Sequence, residues 1–199
     1  MIIIGCDLHT RTQQVAMLDT ETGEVVERRL EHENGEAKRF YEGVKELDQR
    51  IEQEVGRRPE AQRLMTYPGV GPLTALGTVL VLGPVERFPD ARHVTSYVGL
   101  IPQEESSGGR QRFGPLTKQG NPLLRFLLVE AGQTASRFAP GLKRVYRRLA
   151  FRKGRASAKV AVARKLIIPL YIMLRDGIDY AEFVRRGSHA GMLGDVALV

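Results

Sequence analysis

The sequence predicts an α+β chain, mostly α: a three-stranded meander with one helix, followed by an all-helical domain that contains a helix-hairpin-helix. Three observations predict it. Short apolar runs separated by turn residues fill the first thirty positions. From residue 36 the apolar spacing changes to three and four. A Pro-Gly-Val-Gly hairpin then joins two helical stretches near residue 68.

Taken in order, 2–7 is an apolar strand, 14–19 a second, and 24–30 a third after the Thr22-Gly23 turn. Asn34-Gly35 is a turn signal, and Asn34 is a suitable N-cap for the helix 36–55, whose apolar stripe is Phe40, Val44, Leu47 and Ile51. Gly56 and Pro59 interrupt that helix. A meander with one helix in under sixty residues buries little apolar area and is marginal alone. The expected division is 1–58, a mainly helical domain over 61–180, and a loosely ordered tail over 187–199.

Charge separates the two parts. Residues 1–60 hold 9 Lys/Arg against 14 Asp/Glu, whereas 61–199 hold 21 against 9. No acidic residue lies between Glu130 and Asp176, and 143–165 alone carries ten basic ones. A field of one sign at that density attracts a polyanion, of which nucleic acid is the usual example. A solvated helix face normally mixes both signs. Cys6 is the single cysteine, which excludes a disulfide or a cysteine-based zinc framework. His9, His32, His93 and His189 lack ligand spacing. Asp7 arrives before any secretory apolar region could form, and the apolar run 166–174 is too short to span a bilayer. A cytoplasmic chain without membrane partners is expected, with 166–174 as core helix.

In the hairpin, a helix ends at Tyr67 and the next opens with Pro72. Gly69 and Gly71 permit unusual backbone angles and close approach to a phosphate. The start of the second helix offers free N–H groups and a positive dipole end. Gly69, Val70 and Gly71 are therefore candidate DNA-backbone contacts, although an ordinary αα-hairpin also favours glycine. A weaker echo, 94–100, ends the next helix at Gly99.

The loop 102–112 holds Ser106-Ser107-Gly108-Gly109, and Asn121 with Pro122 opens a helix over 123–136. Such a loop is ordinarily a flexible surface segment. Alternatively, a serine hydroxyl attacks a phosphodiester while Arg110, Arg112, Lys118 and Arg125 neutralise the non-bridging oxygens. Farther on, Lys143, Arg144, Arg147 and Arg148 fall on one side of a helix with Val145, Leu149 and Phe151 interleaved. Arg152, Lys153 and Arg155 flank Gly154 in a basic hinge, and a helix over 157–173 is expected to be interrupted at Pro169. The tract is assigned to phosphate contacts with DNA or RNA, not to base readout.

Tyr67-Pro68-Gly69-Val70-Gly71, Phe88-Pro89-Asp90-Ala91-Arg92, Tyr97 to Pro102, Ser107-Gly108-Gly109, Thr117 to Asn121 and Leu124-Arg125, in unbroken order, closely resemble one family. These are the "IS one-ten" transposases of bacterial insertion sequences, with a RuvC-like (RNase H-like) N-terminal domain and a separate C-terminal domain. Ile3-Ile4-Gly5-Cys6-Asp7-Leu8-His9 is similar to the first strand of the RuvC-like domain.

The resemblance implies a tetrad of three aspartates and one glutamate that binds Mg2+, a serine nucleophile that joins to DNA, and a structured guide RNA. By position Asp7 matches the first tetrad residue. Ser107 matches the nucleophile, with Ser106 the alternative. The family's central section, which supplies the other acids, has no counterpart here. Asp48, Glu52 and Glu54 sit in no motif that makes them replacements. One carboxylate does not hold a catalytic magnesium pair, so Asp7 reads as a relic or a solvated strand-end aspartate, and no bound Mg2+ is expected. Element-end and target DNA, and a homo-oligomer or a mixed oligomer with a full-length relative, are the implied partners. A regulator or architectural protein that binds nucleic acid without catalysis is the alternative.

Overall fold

The structure, a computed structural model, describes residues 2–8, 12–19, 22–104, 113–117 and 119–187. The chain divides into two compact units, residues 1–53 and 54–199, with the division inside the last turns of the first helix.

In the first unit β1 (Ile2–Leu8), β2 (Thr12–Asp19) and β3 (Val25–Glu31) form an antiparallel sheet in sequence order. Val15 sits opposite Cys6 on one side and Arg28 on the other. Helix α1 (Glu36–Gly56) follows. Asn34 Oδ1 accepts from the Glu36 N–H at 3.0 Å, while the Gly35 carbonyl receives the first helical bond from Arg39. Gly35, at φ 71°, therefore holds the cap position one residue after the one predicted. The core is small: Val15, Leu30 and Ala37, with Met17 and Phe40 packed against them. Gln13, buried beside it, donates to the Tyr41 hydroxyl at 2.8 Å.

The second unit is built around α7 (Arg155–Asp176). The helices α2 (Pro59–Met65), α3 (Pro72–Leu82), α4 (Ala91–Tyr97), α5 (Pro122–Phe138) and α6 (Pro140–Lys153) precede it, and α8 (Tyr180–Arg186) follows. Contacts from α2, α4, α5 and α6 converge on α7. Gly132 of α5 permits a close crossing of α5 and α7, because an added Cβ would lie 3.2 Å from the Ala163 backbone nitrogen. The Tyr171 hydroxyl, buried, donates to the Phe88 carbonyl at 2.9 Å and fixes the end of the 3-10 turn Val85–Arg87 that leads into α4.

Two expectations are corrected. Pro169 does not interrupt the helix: α7 runs unbroken through it. A proline inside a helix costs about 3 kcal/mol, but Leu166, Ile167, Leu170, Tyr171 and Met173 around it are almost wholly buried. Each contributes roughly 1.5–3 kcal/mol by leaving water, so burial wins. Nor is the second unit all-helical. β4 (Pro102–Glu104) and β5 (Phe113–Leu116) pair antiparallel, with a register irregularity between Pro102 and Glu104. The polar, glycine-containing sequence between them gives no periodicity from which a short ribbon could be read.

Candidate nucleic-acid interface

The hairpin between α2 and α3 is seated rather than floating. Tyr67 and Val70 are buried, and the Val70 N–H donates to the Tyr67 carbonyl at 3.0 Å. The Tyr67 ring meets Tyr180 edge-on at 4.7 Å, and the Tyr180 N–H donates to Thr66 Oγ1 at 2.9 Å. Burial, with Tyr180 adjacent, pushes the Tyr67 phenol well above its ordinary pKa, so it stays neutral. Val70 therefore has neither side chain nor amide to spare for a phosphate.

The two glycines do different things. Gly69, at φ +92°, presses against α5: a Cβ there would sit 2.5 Å from Ala135 N and 2.8 Å from its Cα. Its glycine character serves packing. Gly71 is the N-cap of α3, extended at φ −90° and ψ 175°, with open space where a Cβ would project and no side-chain cap. The helix keeps its first bond from Ala75 N–H to the Gly71 carbonyl at 2.9 Å, which leaves the Leu73 and Thr74 amides as the first-turn donors. Of the three hairpin residues picked from the sequence, Gly71 alone faces open space.

The weaker echo at 94–100 is a Schellman cap. Gly99, at φ +73°, donates to the Ser96 carbonyl at 2.8 Å, and Leu100 donates to Thr95 at 3.1 Å. Gly99 lies against the Gln119 backbone, and Gly120, at φ +93°, lies against the Tyr97 carbonyl. Arg125 Nη1 donates to the carbonyls of Val98 (3.3 Å), Gln119 (3.1 Å) and Gly120 (3.1 Å). Thr117 N–H donates to the Ile101 carbonyl at 3.0 Å. These contacts lock the base of the β4–β5 ribbon. Arg125, picked from the sequence as a phosphate ligand, is spent here on backbone carbonyls. Ser106, Ser107, Arg110, Arg112 and Lys118 lie outside the described residues, as does the Asp7 side chain. Among the described residues no three His, Cys, Asp or Glu side chains group to fit a metal ion.

The basic tract occupies α6, the Gly154 hinge and the first half of α7. Gly154, at φ +84°, alone separates the two helices. Lys143, Arg144, Arg147, Arg148, Arg152, Lys153 and Arg155 are all exposed. Among the described residues no carboxylate pairs with any of them. The cations nearer the C-terminus behave differently: Arg175 bonds Asp176 at 2.7 Å, and Arg185 and Arg186 bond Glu182 at 2.6 and 2.9 Å. Lys165 and Arg164 of α7 are half-buried. Burial first, then Arg164 and Arg148, hold the Lys165 ammonium below its usual pKa. The sequence placed Lys143, Arg144, Arg147 and Arg148 on one side. In the fold Lys143 and Arg147 line a cleft with α5, whereas Arg148 faces Arg164 and Lys165 closely enough to perturb the latter. Phe151, an apolar ring in this cationic surface, is 93% exposed, while Val145 and Leu149 are half-buried.

Sequence reasoning passed over Arg137, Tyr146, Arg164 and Lys165 as site residues. The basic density of the tract was a signal for the last two. Arg137 is isolated in sequence and reaches the tract only through the α5–α6 elbow.

No helix among the described residues is long and apolar enough to cross a membrane. Residues 61–147 match the family described as Transposase IS116/IS110/IS902 family. The chain is 31% identical over 94 residues to a probable family 20 transposase of Pseudomonas aeruginosa, covering 47% of this chain and 28% of that protein. An uncharacterized 43.6 kDa protein of insertion element IS110 from Streptomyces coelicolor is 30% identical over 148 residues, 74% of this chain and 36% of the relative. A pilin gene-inverting protein of Moraxella lacunata is 28% identical over 145 residues, 68% and 44% of the two chains. The matched stretches thus cover less than half of each of these curated relatives. The hairpin, the Gly99–Gly120 lock and the α6 cations all lie inside or border the matched stretch, so it is this part of the chain that is similar to the IS110-type insertion-sequence transposases.

Proposed function

We propose that the second unit binds the DNA of an insertion element and presents Ser107 for strand exchange. The observation that carries the reading is the exposed row of cations on α6 without carboxylate partners among the described residues, in contrast with the paired arginines of α7 and α8. Such a surface gains most by neutralising phosphates. The relatives' names, transposase and pilin gene-inverting protein, point to DNA as that polyanion. Gly71 and the first amides of α3 add a neutral backbone contact to a phosphate.

In the exchange step Ser107 Oγ bonds to phosphorus as one P–O bond to a sugar oxygen breaks. The serine proton leaves to solvent or a base, and the freed sugar oxygen takes one up. Ser106 is the alternative nucleophile. Only Asp7 matches the family's metal-binding acids, so the chain as it stands binds DNA, acts as a shortened form and does not complete exchange alone. Mg2+, a guide RNA and a full-length partner chain belong to the intact reaction. Incubation with element-end DNA, a full-length relative and magnesium should trap a covalent adduct on this chain that Ser107→Ala removes. Absence of any adduct under those conditions leaves the second reading, a non-enzymatic nucleic-acid-binding module.

A further inference from the structure

A cleft of about 320 Å3 opens where α5 turns into α6. Gln133, Ser136 and Arg137 line it from α5, and Lys143, Tyr146 and Arg147 line it from α6. The elbow is short: Ala139 closes α5 by donating to the Ala135 carbonyl at 2.7 Å, and Pro140 begins α6 at once. That geometry sets Arg137 against Lys143 and Arg147, three cations with no carboxylate in the lining. The Glu130 carboxylate, one turn back on α5, accepts from the Gln133 amide at 2.9 Å. The Ser136 hydroxyl is committed to the Gln133 carbonyl at 2.7 Å. Gln133 still has its amide oxygen and a second N–H to offer a ligand.

The cleft suits an anion that also carries a ring. Three cations gather one phosphate or two adjacent ones. The Tyr146 hydroxyl can donate to a phosphate oxygen, and its half-buried ring adds what a bare phosphate does not use, an aromatic platform for a nucleobase. The volume lies at the lower end of small-ligand sites, about 300–1,000 Å3. It admits one nucleotide and excludes a duplex, whose bases are already stacked on each other. We propose that this cleft takes a single unpaired nucleotide of a nucleic-acid strand, with Arg137, Lys143 and Arg147 on its phosphate, Tyr146 on its base and Gln133 on the base edge. The assignment rests on the second unit being a nucleic-acid binder, and it divides that unit's work. The cleft holds unpaired strand, and the exposed cations around Gly154 hold duplex.

The full chain is titrated with short fluorescein-labelled oligothymidylate, its oligouridylate counterpart and a duplex of mixed sequence. Tyr146→Ala should weaken single-strand binding about tenfold while Tyr146→Phe stays within about twofold, the pattern of base stacking. Arg137→Gln should weaken it several-fold as well, and duplex affinity should stay unchanged in all three variants. Retained duplex binding and an unchanged melting temperature show that a variant is folded. A loss confined to one oligonucleotide names DNA or RNA as the source, and a loss in both names the shared nucleotide chemistry. If Tyr146→Ala and Arg137→Gln bind single strands as the parent does while duplex is still bound, the cleft assignment is overturned and DNA binding stands. If the parent binds no nucleic acid at all, both fall.

Discussion

Gly99 and Gly120 each lie against the backbone that flanks the other. A Cβ built on Gly99 falls on the Gln119 carbonyl oxygen, and one built on Gly120 falls on the Tyr97 carbonyl oxygen. Both residues have positive φ, so each is barred to other side chains twice over, by its own torsion and by its neighbour. Either glycine replaced by alanine should cost more than about 3 kcal/mol in urea unfolding. Gly154→Ala is the control: it also has positive φ but open space, and should cost only the torsional share, roughly 1–2 kcal/mol. Equal losses at the three positions would dismiss the lock.

Arg125 is the companion of that lock. Arg125→Met leaves three carbonyls without their charged donor and should destabilise the chain by at least about 1.5 kcal/mol. Arg125→Lys, with one flexible ammonium in place of the planar fork, should recover only part. A DNA-binding defect in Arg125→Met at full stability would instead make the guanidinium a phosphate ligand.

The hairpin glycines should part company. Gly69→Ala drives a methyl into Ala135 and should lower the melting temperature whether or not DNA is present. Gly71→Asp supplies a side-chain cap to α3 and should gain a few tenths of a kcal/mol, yet place a negative charge at the proposed phosphate contact, so duplex affinity should fall. Unchanged affinity in Gly71→Asp would make the hairpin purely structural.

Lys165 trades stability for charge. Its pKa is lowered in the folded state, so between that lowered value and the ordinary one the unfolded chain binds more protons, and stability from this group rises with pH across that window. Below the window the ammonium is charged in both states and its burial beside Arg164 and Arg148 is unfavourable. Lys165→Met should therefore raise the melting temperature at neutral pH, remove the alkaline rise, and weaken nucleic-acid binding. A lower melting temperature would mean that the ammonium has a stabilising partner.

Duplex binding should be steeply salt-dependent. Replacing Arg152, Lys153 and Arg155 together by alanine should lower affinity and reduce the slope of log K against log salt by about 0.9 for each phosphate that is no longer neutralised. An unaltered slope would move the binding surface elsewhere.

Local signals were readable wherever a residue speaks for its own backbone. Asn121 caps α5 through Leu124 N–H, Pro72 and Pro122 open helices, and the three strands begin and end within a few residues of their turn signals. What could not be read depends on who sits opposite. Pro169 looks like a break until the burial around it is counted. Gly69 and Gly71 look equivalent until α5 is found behind one of them. Arg125 looks like a ligand until three carbonyls are found at its tip, and Tyr146 gains meaning only when the elbow brings Arg137 across.

Thr66 Oγ1 and the Tyr67 ring are both held by Tyr180, which lies well past the matched stretch ending at residue 147. A fragment that keeps this support for the hairpin therefore has to extend at least through Tyr180. A chain cut after Asp176 would keep every residue of the hairpin motif and lose the surface on which it rests. Proteolytic trimming near residue 178 would then silence the hairpin from a distance, with no change at the hairpin itself.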